Sequence, residues 1–355
     1  MKALVLGKGK SGTAAASVLR SDGFAVDFAD GYDVVIASPG LQVKSELQLG
    51  CERLRSRGVK LLAVTGSKGK SSVVKLLAEA LGGVPCGNYG LPVCEVGDCE
   101  WAVVEVSSFQ LETTNLPPDA FDAAAILNLQ EDHIDRHGSI GAYHSLKRRL
   151  LSMSQKCICG DEIGEVDAMD VALMAGSYFD NPILRTNGAV AIWLLRTVGL
   201  SDASIRAAFA AFRPLPHRMN EVGVFDGVRY VDDSKATSIA ALVAGVRMCN
   251  GPVRLIAGGL PKGDDPKIAN AYLTKLVKKV YLIGESAKAF SSAWSGVVDC
   301  EIDGDMKSAV ESARREAVSG DFVLLSPGAA SFDQFTSFGE RGDVFADLVK
   351  KGKKE

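Results

Sequence analysis

The sequence predicts a parallel α/β fold spread over more than one domain, and three observations point to it. Short apolar runs ending in Gly or Ser alternate with helix-like stretches along the whole chain, as parallel sheets with crossover helices require. Two of these runs lead into Gly-rich turns, "GKGKSG" and "TGSKGKSS", each opening a helix-like segment. The length, 355 residues at 47% hydrophobic and 23% charged, suffices for two or three domains with separate cores.

Taken in order, the candidate strands are "KALVLG" (2–7), "DVVIASPG" (33–40), "KLLAVTG" (60–66), "WAVVEVSS" (101–108), "DAAAILN" (122–128), "VRLIAGG" (253–259), "KVYLIG" (279–284) and "DFVLLSPG" (321–328). Helix periodicity is clearest in "ELQLGCERLRSRG", in "SSVVKLLAEAL" after the second Gly-rich turn, and in "SDASIRAAFAAF". The prolines of Arg213-Pro214-Leu215-Pro216 suit an extended linker, so the chain reads as three blocks, 1–58, 59–213 and 214–355. No repeat of 20 to 50 residues is visible.

Forty basic against forty-three acidic residues give a formal charge of -3, which supplies no field to attract nucleic acid or anionic lipid. No apolar run reaches the length of a membrane span, and Met1-Lys2 leads directly into a strand-like run, so the expected setting is the cytoplasm. Eight irregularly spaced cysteines form no paired CxxC set, which argues for ordinary thiols rather than a zinc site.

In open parallel sheets ligands collect at the carboxyl ends of strands, so those positions carry the functional reading. Gly7, Gly9 and Gly12 stand in G-x-G-x-x-G spacing after the first strand, with Asp27 or Asp30 placed to meet a ribose. A ligand-free turn, a nucleotide-sugar diphosphate site and a dinucleotide site all fit. The second turn, Gly66-Ser67-Lys68-Gly69-Lys70-Ser71-Ser72, ends like a phosphate-binding P-loop but has Val64 where the usual spacing asks for glycine. Its backbone N–H groups would face phosphates, with Lys70 as a charge and Ser71 as a hydroxyl for Mg²⁺. Glu105 lies inside an apolar strand, where a carboxylate needs either a hydrogen-bond partner or a metal. "NLQEDHIDRHG" (128–138) then gathers Asn128, Glu131, Asp132, His133, Asp135, Arg136 and His137 behind another strand.

With "EVSSFQLE", "LPHR", "DDSKATS" and "LLSPGAASFDQFTSFGERG", these segments resemble the successive signatures of the Mur ligases, in which the shortened loop is normal. The C-terminal "SPGAASFDQF" and "FGERG" most resemble the D-glutamate-adding branch, and the similarity spans all three blocks. The resemblance implies a small Rossmann-like N-terminal domain for UDP-sugar (1–58), a central P-loop ATPase domain (59–213) and a Rossmann-like C-terminal domain for the amino acid (214–355). The implied activity is ATP-dependent addition of D-glutamate to UDP-N-acetylmuramoyl-L-alanine through an acyl phosphate, by a monomer using ATP and Mg²⁺ at two sites.

Site residues follow from the same resemblance. It implies metal ligation by Ser71, Glu105, His133 and a carbamylated Lys147, and nucleotide contacts from Gly66 to Ser72, Asn187, Arg218 and Asp233. Catalytic roles fall to Lys70, Glu105, His133, Lys147, Arg218 and Lys235. Gly9, Lys10, Ser11, Ser38, Asn88 and Gln110 match the UDP-sugar side, and Thr237, Lys262, Ser331 and Phe338 match the D-glutamate side. Read without the resemblance, Lys147 in "AYHSLKRRL" belongs to a solvated basic face. The chain departs from the family's motifs in four places. The adenine motif HNxxN keeps only Asn187, with Ile183 and Leu184 at its first positions; "SKATN" ends in Ser238; "GG-x-D-K" is "GGLPK"; and Phe332 replaces a leucine. Competing readings are a relative adding another amino acid, a folylpolyglutamate synthetase, an NAD-dependent protein built on GKGKSG, and a catalytically silent nucleotide binder. The last two leave Glu105 and His133, or their retention, unexplained.

Overall fold

The computed structural model describes residues 1–30, 43–131 and 133–352, the side chain of residue 135 aside. The expected strand at 33–40 and Ser38 lie outside the described residues. The chain divides into two compact units, Met1–Phe212 and Arg213–Glu355.

The first unit opens with a two-stranded parallel sheet, β1 (Lys2–Leu6) and β2 (Ala25–Ala29), joined by the helix Lys10–Ser21. Its larger sheet holds β3 (Lys60–Thr65), β4 (Val84–Gly87), β5 (Trp101–Glu105), β6 (Ala123–Ile126) and β7 (Cys157–Cys159), all parallel, in the order β4-β5-β3-β6-β7. Alternation along β3 explains why both faces are covered. Leu62 and Val64 face a core built with the helices Lys70–Leu81 and Arg185–Thr197, while Leu61 and Ala63 face Leu47, Cys51 and Leu54 of the helix Glu46–Ser56. That last helix, which closes the first block of the sequence, therefore shares its core with the central sheet.

The second unit contains β8 (Asn220–Phe225), β9 (Val228–Asp232), β10 (Val253–Gly258), β11 (Val277–Ile283), β12 (Asp299–Gly304) and β13 (Phe322–Leu325), in the order β12-β11-β10-β13-β9-β8. All neighbours are parallel except β8 and β9. That hairpin was not expected from the sequence, yet its turn is Asp226-Gly227, both residues with positive φ (53° and 76°) as a type I′ turn requires. Strand order reverses about β10 and β13, so the loops after β9, β10 and β13 meet at the carboxyl end, where open α/β sheets bind ligands.

The expected parallel α/β class is what the structure shows. Strands β2, β4, β7, β8, β9 and β12 escaped the sequence reading because each is short or alternates polar residues, leaving no continuous apolar run. Among the described residues no helix is long and apolar enough to cross a membrane.

The GKGKSG turn starts the helix Lys10–Ser21 and depends on a close approach at Gly12. A Cβ there would lie 2.1 Å from the Gly7 carbonyl oxygen. Gly12→Ala is expected to destabilise the N-terminal βαβ element by about 1–3 kcal/mol, measured by thermal or urea denaturation.

Candidate active site

The phosphate-loop site is built on strand ends. β3 stops at Thr65, the backbone turns through Gly66 (φ 152°) and Gly69 (φ 84°), and the helix starts at Lys70. Lys70 Nζ donates to the carbonyl oxygens of Gly66 (2.8 Å) and Ser67 (3.2 Å). Ser67 N–H donates to Asn128 O, and Ser67 Oγ donates to Gln130 O at 2.9 Å, joining the loop to the segment after β6. Ser71 is half-buried and Ser72 buried in the first helical turn.

Glu105 ends β5 in register with Val64, one strand over from the loop, and is 2% exposed. Its Oε1 accepts from Asn88 Nδ2 at 2.8 Å. Its Oε2 has no hydrogen-bond partner among the described residues. A buried carboxylate oxygen left unsatisfied is costly, and a cation beside the phosphates would satisfy it, so the residues present fit a divalent metal. Carboxylates, histidines and cysteines alone do not suffice: among the described residues no three of them are grouped to hold an ion.

Lys147 is 1% exposed, which corrects the solvated basic face that residue-level reading gives it. Its Nζ donates to Gly66 O (3.0 Å) and Thr65 Oγ1 (3.3 Å) and lies 4.8 Å from the centroid of the Tyr143 ring. Tyr143, one helical turn earlier, is the buried residue that shares its face. His133 is exposed, in the left-handed region (φ 53°), with its ring edge-on to Phe109 at 5.2 Å and 6.3 Å from Tyr143. His137 behind it meets Ser108 Oγ (3.1 Å) and Glu112 (3.3 Å), and Arg136 also pairs with Glu112.

The structure thus gathers Gly66 to Ser72 with Lys147, and carries Glu105 on the neighbouring strand end with Asn88 just past β4, one strand further. Asn187 is buried and packs against Gly69. Gln110 is half-buried, and its Oε1 is taken by the cap of its own helix, accepting from Ser107 N at 2.9 Å. Gly9, Lys10 and Ser11 are exposed on the small sheet's helix, with no hydrogen bond to the phosphate-loop cluster among the described residues.

The second unit carries a separate cluster where strand order reverses. Lys235 Nζ lies 3.9 Å above the Phe338 ring, and Lys262 Nζ donates to Thr237 Oγ1 at 3.1 Å. Burial, Arg218 and Lys262 hold the Lys235 ammonium below its ordinary pKa. Crowded cations beside a hydroxyl suit an anion with more than one carboxylate. Ser331 is buried in the loop after β13, whose neighbour Ala330 pairs with Leu260 through two 2.9 Å backbone hydrogen bonds. Asp233 is buried, accepting from Ser326 Oγ (2.9 Å) and Met219 N (3.3 Å), and burial pushes its carboxyl up to about 7. His217 and Met219 flank Arg218 with positive φ (59° and 51°), and His217 Nδ1 is 2.7 Å from Asp232.

Sequence reading missed Arg341. It is fully buried and donates to Ser234 Oγ (3.0 Å), Ser234 O (2.9 Å), Ala329 O (3.2 Å) and Ala330 O (3.1 Å), tying the loops after β9 and β13 to the helix Phe338–Lys351. Burial lowers its pKa to about 10. The available signal was its spacing, four residues before the buried Phe345 on the apolar face of that helix. Asn128, noted only as part of a polar segment, is the other omission.

The Mur ligase middle domain family matches residues 91–160. The UDP-N-acetylmuramoylalanine–D-glutamate ligase of Nitratidesulfovibrio vulgaris is 33% identical over 360 residues, covering 95% of this chain and 82% of that protein. The ligase of the same name from Hydrogenobaculum sp. is 31% identical over 412 residues, 99% of both chains. Among solved structures, the MurF ligase from Thermotoga maritima in complex with ADP aligns with a TM-score of 0.62 and 17% identity over 99% of this chain and 95% of that one, a likeness of fold.

Arg341→Met is expected to lower the stability of the second unit by roughly 3 kcal/mol, because Ser234 O and Ala329 O lose their donor and Ser234 Oγ and Ala330 O lose one of their hydrogen bonds, measured by chemical denaturation. For Asp233 the folded pKa, about 7, stands above the ordinary 3.8. Its contribution to stability is therefore complete below the ordinary value and lost as pH rises through the folded one. Asp233→Asn is expected to flatten the fall in melting temperature between about pH 4 and about pH 7, read in thermal scans across that range.

Proposed function

The chain belongs to the Mur ligase family, and we propose that it joins D-glutamate to UDP-N-acetylmuramoyl-L-alanine at the expense of ATP, as a cytoplasmic step of peptidoglycan precursor synthesis. The observation that carries this reading is the phosphate loop with the buried, half-satisfied Glu105 on the adjacent strand end. We assign residues 1–58 to UDP-sugar binding, 59–213 to ATP and 214–355 to the amino acid, and take the working form to be a monomer.

In this reading the loop Gly66 to Ser72 holds the phosphates through backbone N–H groups other than those of Ser67 and Lys68, which Asn128 takes, and Lys70 moves from its own loop carbonyls to the γ-phosphoryl group. Arg218 serves as a second phosphate contact, and Asp233 and Asn187 belong to the nucleotide site. Ser71, Glu105, His133 and Lys147, the last as its carbamate, would hold two Mg²⁺ ions. Bound magnesium would neutralise phosphate charge as the γ-phosphoryl group leaves ADP for the L-alanine carboxylate. The product of that transfer is an acyl phosphate. The amine of D-glutamate then attacks the carbonyl carbon, losing a proton, and the C–O bond to phosphate breaks.

Lys262, Thr237, Ser331 and Phe338 are the proposed D-glutamate contacts, with Lys235 beside them as a carboxylate or phosphate donor. Gly9, Lys10 and Ser11, with Asn88 and Gln110, are proposed for the UDP-muramoyl substrate. For Gln110 that role falls to Nε2, since Oε1 serves the helix cap.

The test is ADP formation from ATP and UDP-N-acetylmuramoyl-L-alanine with and without D-glutamate. Turnover that requires D-glutamate and falls roughly a hundredfold or more in Lys70→Ala is the expected result. Equal ADP release with and without the amino acid would overturn the assignment.

A further inference from the structure

Asn187 stands at the only position where the chain keeps an asparagine of the adenine pattern, but its surroundings assign it other work. It lies in the first turn of the helix Arg185–Thr197 and is 6% exposed. Its amide sits directly over Gly69: a Cβ placed on that glycine would come within 2.2 Å of Asn187 Nδ2. Its Oδ1 accepts from Asn128 Nδ2 at 3.1 Å.

Asn128 in turn clasps the loop backbone at two points. Its Oδ1 accepts from Lys68 N at 2.8 Å, and its Nδ2 donates to Lys68 O at 2.9 Å. Its own carbonyl takes Ser67 N–H at 2.9 Å. The two asparagines thus form a polar bracket against Ser67, Lys68 and Gly69 that takes the N–H groups of Ser67 and Lys68 and leaves those from Gly69 onward for phosphate. The residues at the first positions of the adenine pattern offer a base no side-chain hydrogen bond. Ile183 and Leu184 are half-buried aliphatic groups, and Leu184 packs on the core formed by the helices 70–81 and 185–197.

We infer that Asn187 is a positioning residue that sets the phosphate loop through Gly69 and Asn128, and not a reader of the adenine base. The inference rests on the nucleotide site proposed above. It predicts that removing Asn187 weakens every ligand held by the loop, with or without a base. A base-reading residue would instead affect only ligands that carry adenine.

Titration calorimetry of the full chain with ATP and with inorganic tripolyphosphate, in the same magnesium buffer, separates these outcomes. Asn187→Ala, which loses one hydrogen bond, is expected to weaken both ligands by the same factor, about tenfold, and Asn128→Ala, which loses three, to weaken both by at least as much. The double variant is expected to lose little more than Asn128→Ala alone, since both act through one bracket. Affinity for UDP-N-acetylmuramoyl-L-alanine should stay unchanged, which a general loss of structure would not allow. Weaker ATP binding with undiminished tripolyphosphate binding in Asn187→Ala would make it a base contact and overturn the inference, as would full affinity for both. If Asn187→Ala does not fold, Asn128→Ala decides by the same comparison. A wild-type chain that binds neither ligand sinks the phosphate-loop reading itself.

Discussion

The register between β3 and β5 is the constraint on which the phosphate-loop site depends. Val64 stands opposite Glu105, so the carboxylate ends its strand just as the neighbouring strand turns into the loop. Several contacts fix that register. Lys60 lies over the Trp101 ring at one end, and at the other Val106 N donates to Val64 O while Thr65 Oγ1 donates to Val106 O. A slip of one residue would reverse which face every side chain of β5 meets, burying the carboxylate in a hydrocarbon layer. The apolar layers on both faces of the sheet thus guard the chemistry at its edge. They hold a charged group at the one place where its partner can be a cation.

A second principle recurs in both units: side chains that buttress a loop do so through main-chain atoms. Asn128 holds the phosphate loop by its backbone, with Asn187 bonded to it, and Arg341 holds the loops after β9 and β13 chiefly by their carbonyls. Buried polar groups bonded mainly to backbone are expensive to remove and hard to replace, which makes the loops they support well defined. Lys70, Lys235 and Lys262 are the flexible cations set against these stiff frames.

Strand ends and Gly-rich turns were legible in the sequence because glycine and apolar runs have few alternative meanings. The shortened P-loop and the cluster after β6 stand at strand ends as the sequence placed them, while Glu105, expected inside its strand, is the last residue of β5. Burial of cations was not legible. Lys147 sits in "KRR", which on charge alone reads as a wet surface, and only its spacing from Tyr143 marks it as inward-facing. Arg341 is hidden in the same way behind Glu340 and Asp343, although it falls in line with Phe345. The hairpin at Asp226-Gly227 was missed for a different reason. The strands beside it alternate polar and apolar residues too unevenly to register as runs, although the turn dipeptide itself was a sufficient signal.

Arg341 reaches Ser234, Ala329 and Ala330, but its hydrogen bonds bypass Thr237, Lys262, Ser331 and the Phe338 ring. Scaffold and proposed recognition are therefore encoded in different residues, side by side in the same loops. A lineage can exchange the side chains proposed to choose the amino acid while the arginine keeps the loops in place. In this arrangement a change of substrate does not require the site to be rebuilt.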